Sequence, residues 1–327
     1  MTDRLHMLHE WLRVDLNMAS YDLKPASEDA SFRRYYRLVS AGESRIVMDA
    51  PPDKEDCRPF LDVTERLLAS GINVPMVFAQ DLTNGFLLLS DLGEELYLDK
   101  LSEHNVDELY GDAIRALLLM QTHAPLQSLP LYTESLLMQE MALFRDWLLA
   151  KHVQKSLSER QLMQLQELFV CLTESAMAQA QVFVHRDFHS RNLILNKNNP
   201  GIIDYQDAVL GPQSYDLVSL LKDCYIKWPR AKVEAWLLQY YHQLDERITA
   251  QVSKEEFKRG FDLMGVQRHL KASGIFARLY HRDGKSDYLK DIPRTLSYIV
   301  DLEDEYAELT CLIDLLRASV LPALARP

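Results

Sequence analysis

Three short apolar runs between Val182 and Leu221 fix more of this chain's layout than any other stretch. Val182–Val184 and Leu193–Leu195 flank the polar loop H-R-D-F-H-S-R-N, and a third run, Gly201–Ile203, ends at Asp204. Runs of this length, rich in β-branched residues, read as small buried strands. The loop between them is therefore held at both ends. It carries His185, Asp187 and Asn192 in the order H-x-D-x-x-x-x-N, and the strand pair that follows delivers Asp204 at hairpin spacing. Phosphoryl transfer calls for such a set: a carboxylate to orient and deprotonate an attacking hydroxyl, and an amide with a second carboxylate for Mg²⁺. Mg²⁺ takes one or two carboxylates beside substrate phosphates and water. Asn192 and Asp204 are the expected metal ligands and Asp187 the catalytic base. His189 either donates toward the transferred phosphate or makes a structural bond within the loop.

The phrases V-H-R-D-F-H-S-R-N-L-I-L and I-I-D-Y-Q-D-A resemble the catalytic segment of the aminoglycoside phosphotransferase and choline kinase superfamily. Three further phrases are similar to one branch of it, the anomeric amino-sugar kinases of bacterial cell-wall recycling. They are D-A-S-F-R-R-Y-Y-R, the run from Asp204 to Tyr225, and Q-R-H-L-K-A-S-G-I-F-A-R-L-Y-H-R-D-G-K. The resemblance implies an α+β, bilobal, protein-kinase-like fold. A small N-lobe with an antiparallel sheet (residues 1–90) would precede a larger, mostly helical C-lobe (residues 91–327). It also implies ATP and Mg²⁺ as cofactors and an amino sugar, N-acetylmuramate or N-acetylglucosamine, as the small-molecule substrate. Asp216 would brace the catalytic loop through its backbone.

The front of the chain follows that plan with one departure. Leu5, Leu8, Trp11, Leu12 and Leu16 give an amphipathic opening helix over 3–16. Ser27–Ser31 is the expected loop above the nucleotide phosphates, small and polar but lacking glycine, with Ser31 a contact. Arg33–Ser40 and Arg45–Ala50 read as strands joined at Ala41–Gly42. Kinases place a phosphate-binding lysine on the second of these, where this chain has Met48. Either Arg33 or Arg34 would replace it, since guanidinium grips phosphate in bidentate fashion, or both are solvated strand charges. A helix over 58–70 and two further strands lead to a hinge at Ser90–Gly93, where backbone groups around Ser90 and Leu92 would meet the adenine.

Beyond Gly93 helices are expected at 106–123, 134–151, 158–180, 214–223 and 230–247, with a closing helix at 298–318 and a capping box at Ser158 and Gln161. Glu140 and Asp146 either line an acceptor pocket or face solvent. From Lys258 to Arg294 nine cations stand against four anions, in a chain whose net charge is −12. Such a segment suits an anionic acceptor, or else it balances acidic neighbours. Gln267, Arg268 and His269 are the acceptor-contact candidates, with Asp223 as a candidate hydroxyl acceptor; Asp207 either supports the metal ligand or contacts a sugar hydroxyl. The acidic charge argues against nucleic-acid partners, which need phosphate neutralisation, and gives no support for a membrane surface. Cys57, Cys171, Cys224 and Cys311 show no paired spacing, which points to reduced thiols and a cytoplasmic protein. Two rival functions remain: an aminoglycoside- or choline-type phosphotransferase, and a non-catalytic nucleotide-binding module, the latter motivated by Met48.

Overall fold

A computed structural model describes residues 2–28 and 32–325, and the chain divides into two compact units. The first comprises residues up to Glu95 together with Ile194–Asp207; the second takes Leu96–Leu193 and Ala208 onward. The hairpin that ends in Asp204 thus belongs to the first unit although the loop before it belongs to the second. A single cut after residue 90 does not describe this arrangement.

In the first unit, helix α1 (Thr2–Glu10) continues into a wider turn, Trp11–Asp15. It lies against a five-stranded antiparallel sheet. The strands are β1 (Asp22–Glu28), β2 (Arg34–Ser40), β3 (Glu43–Asp49), β4 (Val77–Asp81) and β5 (Phe86–Ser90), in the order β1-β2-β3-β5-β4. Alternation along β2 and β3 turns Leu38 and Val47 inward, where they meet Leu8, Trp11 and Leu12 of the opening helix and Phe86 and Leu88 of β5. Arg4 adds an ion pair to Asp49 at the end of β3. Helix α2 (Arg58–Ala69) holds the hairpin Leu193–Ile194/Gly201–Ile202 from the side. Tyr205 stacks on Phe60 and hydrogen-bonds Thr64 at 2.8 Å. The Asn73 carbonyl accepts from the Ile202 N–H at 2.8 Å.

The second unit is helical, and its axis is the 30-residue helix Lys254–Asp283. Ser253 and Glu256 form a capping box at its start, and Gly284, at φ +70°, closes it in the left-handed region that favours glycine. The helix runs against Glu134–Leu143 and the wide turn Phe144–His152, in a core with Phe144, Leu148, Leu270 and Phe276. Gly274 permits the crossing, since a Cβ there would stand 2.3 Å from the Leu143 carbonyl carbon. Val106–His123 is helical over the expected residues, and Ser158 with Gln161 caps Glu159–Met177. The expected closing helix is broken: Ile292–Val300 ends before the acidic turn Asp301–Tyr306, and helix resumes only at Ala307. No helix among the described residues is long and apolar enough to cross a membrane.

Candidate active site

The loop from His185 to Asn192 leaves strand Gln181–Val184, which pairs antiparallel with Val209–Pro212 in the second unit. Two buried aspartates set the loop's shape. Asp216, fully buried, accepts the His185 N–H at 2.6 Å and the Arg186 N–H at 3.0 Å. Burial pushes its carboxyl up to about 7, against the pull of those two bonds. Asp223 accepts from the Ser190 N–H at 3.0 Å, the Ser190 hydroxyl at 2.5 Å and the Tyr225 N–H at 2.8 Å. Between these anchors Arg186 sits at φ +75°, a conformation that costs a non-glycine residue about 1–3 kcal/mol. The anchoring hydrogen bonds hold it there.

Inside the loop the Asp187 N–H donates to His185 Nδ1 at 3.2 Å, which makes that nitrogen the acceptor of a neutral ring. Asn192 closes the turn: its Nδ2 donates to the Asp187 carbonyl at 2.9 Å and its N–H to the His189 carbonyl at 2.9 Å. The amide nitrogen thereby faces the loop, so the oxygen is at the opposite end of the group. Burial pushes the Asp187 carboxyl up, but the charges of Lys271 and Arg268 outweigh it and hold it below the usual carboxylate range. His189 is shifted down by burial despite Asp223 and Asp187, so its ring is neutral near pH 7. Its Nδ1 is buried without a hydrogen-bond partner, and its ring meets the edge of Tyr225 at 5.3 Å.

A cluster of buried charge adjoins the loop. Glu140, 6% exposed, accepts from Arg186 Nη2 at 2.7 Å and pairs with Lys271 Nζ at 3.0 Å; the Tyr132 hydroxyl also donates to it. Lys271 donates to the Tyr215 hydroxyl at 2.8 Å. Burial raises the Glu140 carboxyl, yet Lys271 and Arg186 hold it below the usual range. Glu140 is thus a buried anchor, whereas Asp146 is exposed beside Arg145. Lys271 and the bracing role of Glu140 went unread in the sequence. The available signal was the i, i+3 spacing of Arg268 and Lys271, which sets both on one helix face.

The other expected contacts divide. Arg268 is buried close to the loop, with Asp187, Asp223 and Tyr215 as electrostatic neighbours. His269 is a correction: its Nε2 meets the Lys222 carbonyl at 2.8 Å and its ring stacks on Tyr298 at 4.9 Å, so it packs the core. Asp223 is another, because its oxygens anchor the loop instead of awaiting a hydroxyl. Asp207 is exposed.

In the first unit, Asp204 stands at φ +67° and accepts from Gln206 Nε2 at 2.8 Å. Met48 is fully buried opposite Tyr35. Arg33 pairs with Glu55 at 3.0 Å, while Arg34 lies within β2 opposite Asp49. Ser31 lies outside the described residues, as does most of the loop expected above the phosphates; Ser27 and Glu28 extend β1 instead. The Ser90 N–H is committed to the Met76 carbonyl at 2.8 Å, and the Leu92 carbonyl accepts from Asn196 at 3.1 Å. Those two backbone groups already have protein partners.

Comparison with known proteins follows the same line. Residues 22–252 match the model of the phosphotransferase enzyme family. The N-acetylmuramate/N-acetylglucosamine kinase of Pseudomonas aeruginosa is 48% identical over 88% of this chain and 86% of its own length. Proteins of the same name from Pseudomonas putida and Neisseria meningitidis are 45% and 40% identical, covering 96% and 94% of this chain and 97% and 94% of theirs. Among solved structures, the ADP-bound aminoglycoside phosphotransferase APH(2'')-Ib superposes with a TM-score of 0.60 at 17% identity, covering 89% of this chain and 97% of that one. A choline kinase from Streptococcus pneumoniae gives 0.62 at 12% identity, over 90% and 98%. These last two likenesses are of fold: the protein-kinase-like α+β architecture.

Proposed function

The chain belongs to the phosphotransferase enzyme family, and from that premise we propose that it transfers the terminal phosphoryl group of ATP to the anomeric hydroxyl of N-acetylmuramate or N-acetylglucosamine. The observation that carries this reading is the 40–48% identity, over most of the chain, to three proteins named N-acetylmuramate/N-acetylglucosamine kinase. Arg186 and Lys271 are balanced by Glu140, so discrimination against the cationic acceptors of aminoglycoside and choline kinases falls to Arg268.

In this account the Asp187 carboxylate faces the acceptor hydroxyl and takes its proton as the oxygen attacks the γ-phosphorus. The new O–P bond forms as the bond to the β–γ bridging oxygen breaks, and ADP leaves with that electron pair. A hemiacetal hydroxyl is more acidic than an ordinary alcohol, so a carboxylate held below the usual range is a sufficient base. Asp216 and Asp223 hold the base in place, and His189, neutral, is available as a donor to a phosphate oxygen.

For Mg²⁺ we assign Asn192 and Asp204. The donor set suits a hard cation: an amide oxygen and a carboxylate, with no cluster of three or more His, Cys, Asp or Glu among the described residues to form a cage. When bound, the ion would spread the charge of the β- and γ-phosphates. With Met48 unable to do so, Arg33 is assigned the phosphate contact, because Glu55 fixes its guanidinium. The test is a coupled ADP-release screen over amino sugars, aminoglycosides and amino alcohols, with phosphorus NMR of the product. The reading expects turnover confined to the N-acetylated amino sugars and a phosphate on C1. Turnover of an aminoglycoside or choline alone, or of nothing, contradicts it.

A further inference from the structure

Arg268 differs from the neighbouring cations Lys222, Arg186 and Lys271. Lys222 meets Asp262 at 2.7 Å, Arg186 meets Glu140 at 2.7 Å and Lys271 meets Glu140 at 3.0 Å. Arg268 is 5% exposed, and the one hydrogen-bond partner of its guanidinium among the described residues is the Cys224 thiol at 3.5 Å. A guanidinium carries five N–H donors and does not shed its proton. Burying one against a weak sulfur acceptor is costly, and the cost is relieved by an oxyanion. Asp223 does not fill that place, since its oxygens are engaged with Ser190 and Tyr225. A second unsatisfied group lies in the same neighbourhood: His189 Nδ1 is buried without a partner, and His189 and Arg268 share Asp187 and Asp223 as electrostatic neighbours. The donors therefore gather beside the catalytic carboxylate, where an acceptor sugar would sit.

We propose that Arg268 determines specificity for an acidic acceptor, its guanidinium receiving the carboxylate of the sugar while Asp187 faces the hydroxyl. The inference rests on the sugar-kinase reading above and goes one step further, to the group that distinguishes the two sugars. N-acetylmuramate is N-acetylglucosamine bearing a carboxylate on an ether side chain, so the pair isolates that one interaction. A planar fork of donors matches a carboxylate in bidentate fashion. The other oxyanion within reach of such a site, a nucleotide phosphate, is common to both reactions and cannot discriminate between them.

The experiment measures kcat/KM for both sugars at saturating ATP and Mg²⁺ with the wild-type protein, Arg268→Gln and Arg268→Lys. Arg268→Gln should lose about a hundredfold on N-acetylmuramate, mainly through KM, and less than tenfold on N-acetylglucosamine. Arg268→Lys should recover part of the muramate rate, because it restores charge without the fork. The surviving glucosamine turnover also reports that the variant is folded. Equal losses on the two sugars, or no loss, overturn the proposal. If Arg268→Gln does not fold, the lysine variant decides: a fall in the muramate-to-glucosamine ratio supports the assignment and an unchanged ratio overturns it. A wild-type protein that uses only the glucosamine sugar sinks this inference alone, whereas one that uses neither sinks the sugar-kinase reading as well.

Discussion

Replacing Asp216 by Asn tests whether the catalytic loop is held by its buried braces. The carboxylate accepts two backbone N–H groups, from His185 at 2.6 Å and Arg186 at 3.0 Å, with no exposure to water. An amide has one oxygen for these two donors, and its NH₂ would face the other N–H. One charge-assisted bond is lost and one buried N–H is left unsatisfied, together at most about 3 kcal/mol, since the neutral amide also escapes the burial cost that raises the Asp216 carboxyl. For a chain of 327 residues unfolding with about 2 cal/mol/K per residue, that is a fall in Tm of at most about 4 °C. The functional loss should be larger than the stability loss. Arg186 stays at φ +75° only while the anchoring bonds persist, and Asp187 is the next residue. A displacement of the base by about 1 Å costs on the order of a hundredfold in kcat. The assay is ADP release at pH 8, where Asp216 is ionised in the wild type, beside calorimetry and ATP binding. ATP affinity should hold within about twofold. A variant with kcat within twofold of wild type and Tm within about 1 °C would refute the bracing argument.

Two further outcomes follow from the same structure. Glu140 has a folded pKa depressed below its unfolded one, so its contribution is present at neutral pH and is lost as the pH falls through the folded value. Glu140→Gln should therefore lower Tm clearly at pH 7, by the equivalent of about 3 kcal/mol, and the gap to wild type should close as the pH falls through the folded value. Arg33→Gln should raise the KM for ATP about tenfold with little change in sugar KM, measured by varying each substrate in turn; an unchanged ATP requirement would mean that the phosphate cation lies elsewhere.

The loop, its flanking strands and the helix caps were readable in the sequence because they are local. The order His185, Asp187, Asn192 and the later Asp204 are set by spacing along one stretch, and the capping box at Ser158 depends on four consecutive residues. What escaped reading depends on distant partners. Strand β1, with Lys24, Pro25 and Ser27, lacks apolar alternation and exists as the edge partner of β2. The polar turn Asp301–Tyr306 breaks a helix that apolar spacing alone would continue. His269 and Arg268 are neighbours in sequence, yet the helix turns one toward Tyr298 and Lys222 and the other toward Cys224. Asp223 reads as a free carboxylate until the loop that it anchors is in place. Lys271 and Glu140 are 131 residues apart and meet only in the fold.

The central claim is that Asp187 deprotonates a sugar hydroxyl. The most direct measurement is ADP release by Asp187→Asn, with N-acetylmuramate and N-acetylglucosamine, alongside ATP binding by calorimetry. The account predicts a fall in kcat of about a hundredfold to ten-thousandfold with ATP binding retained. Turnover within a few-fold of wild type would contradict it.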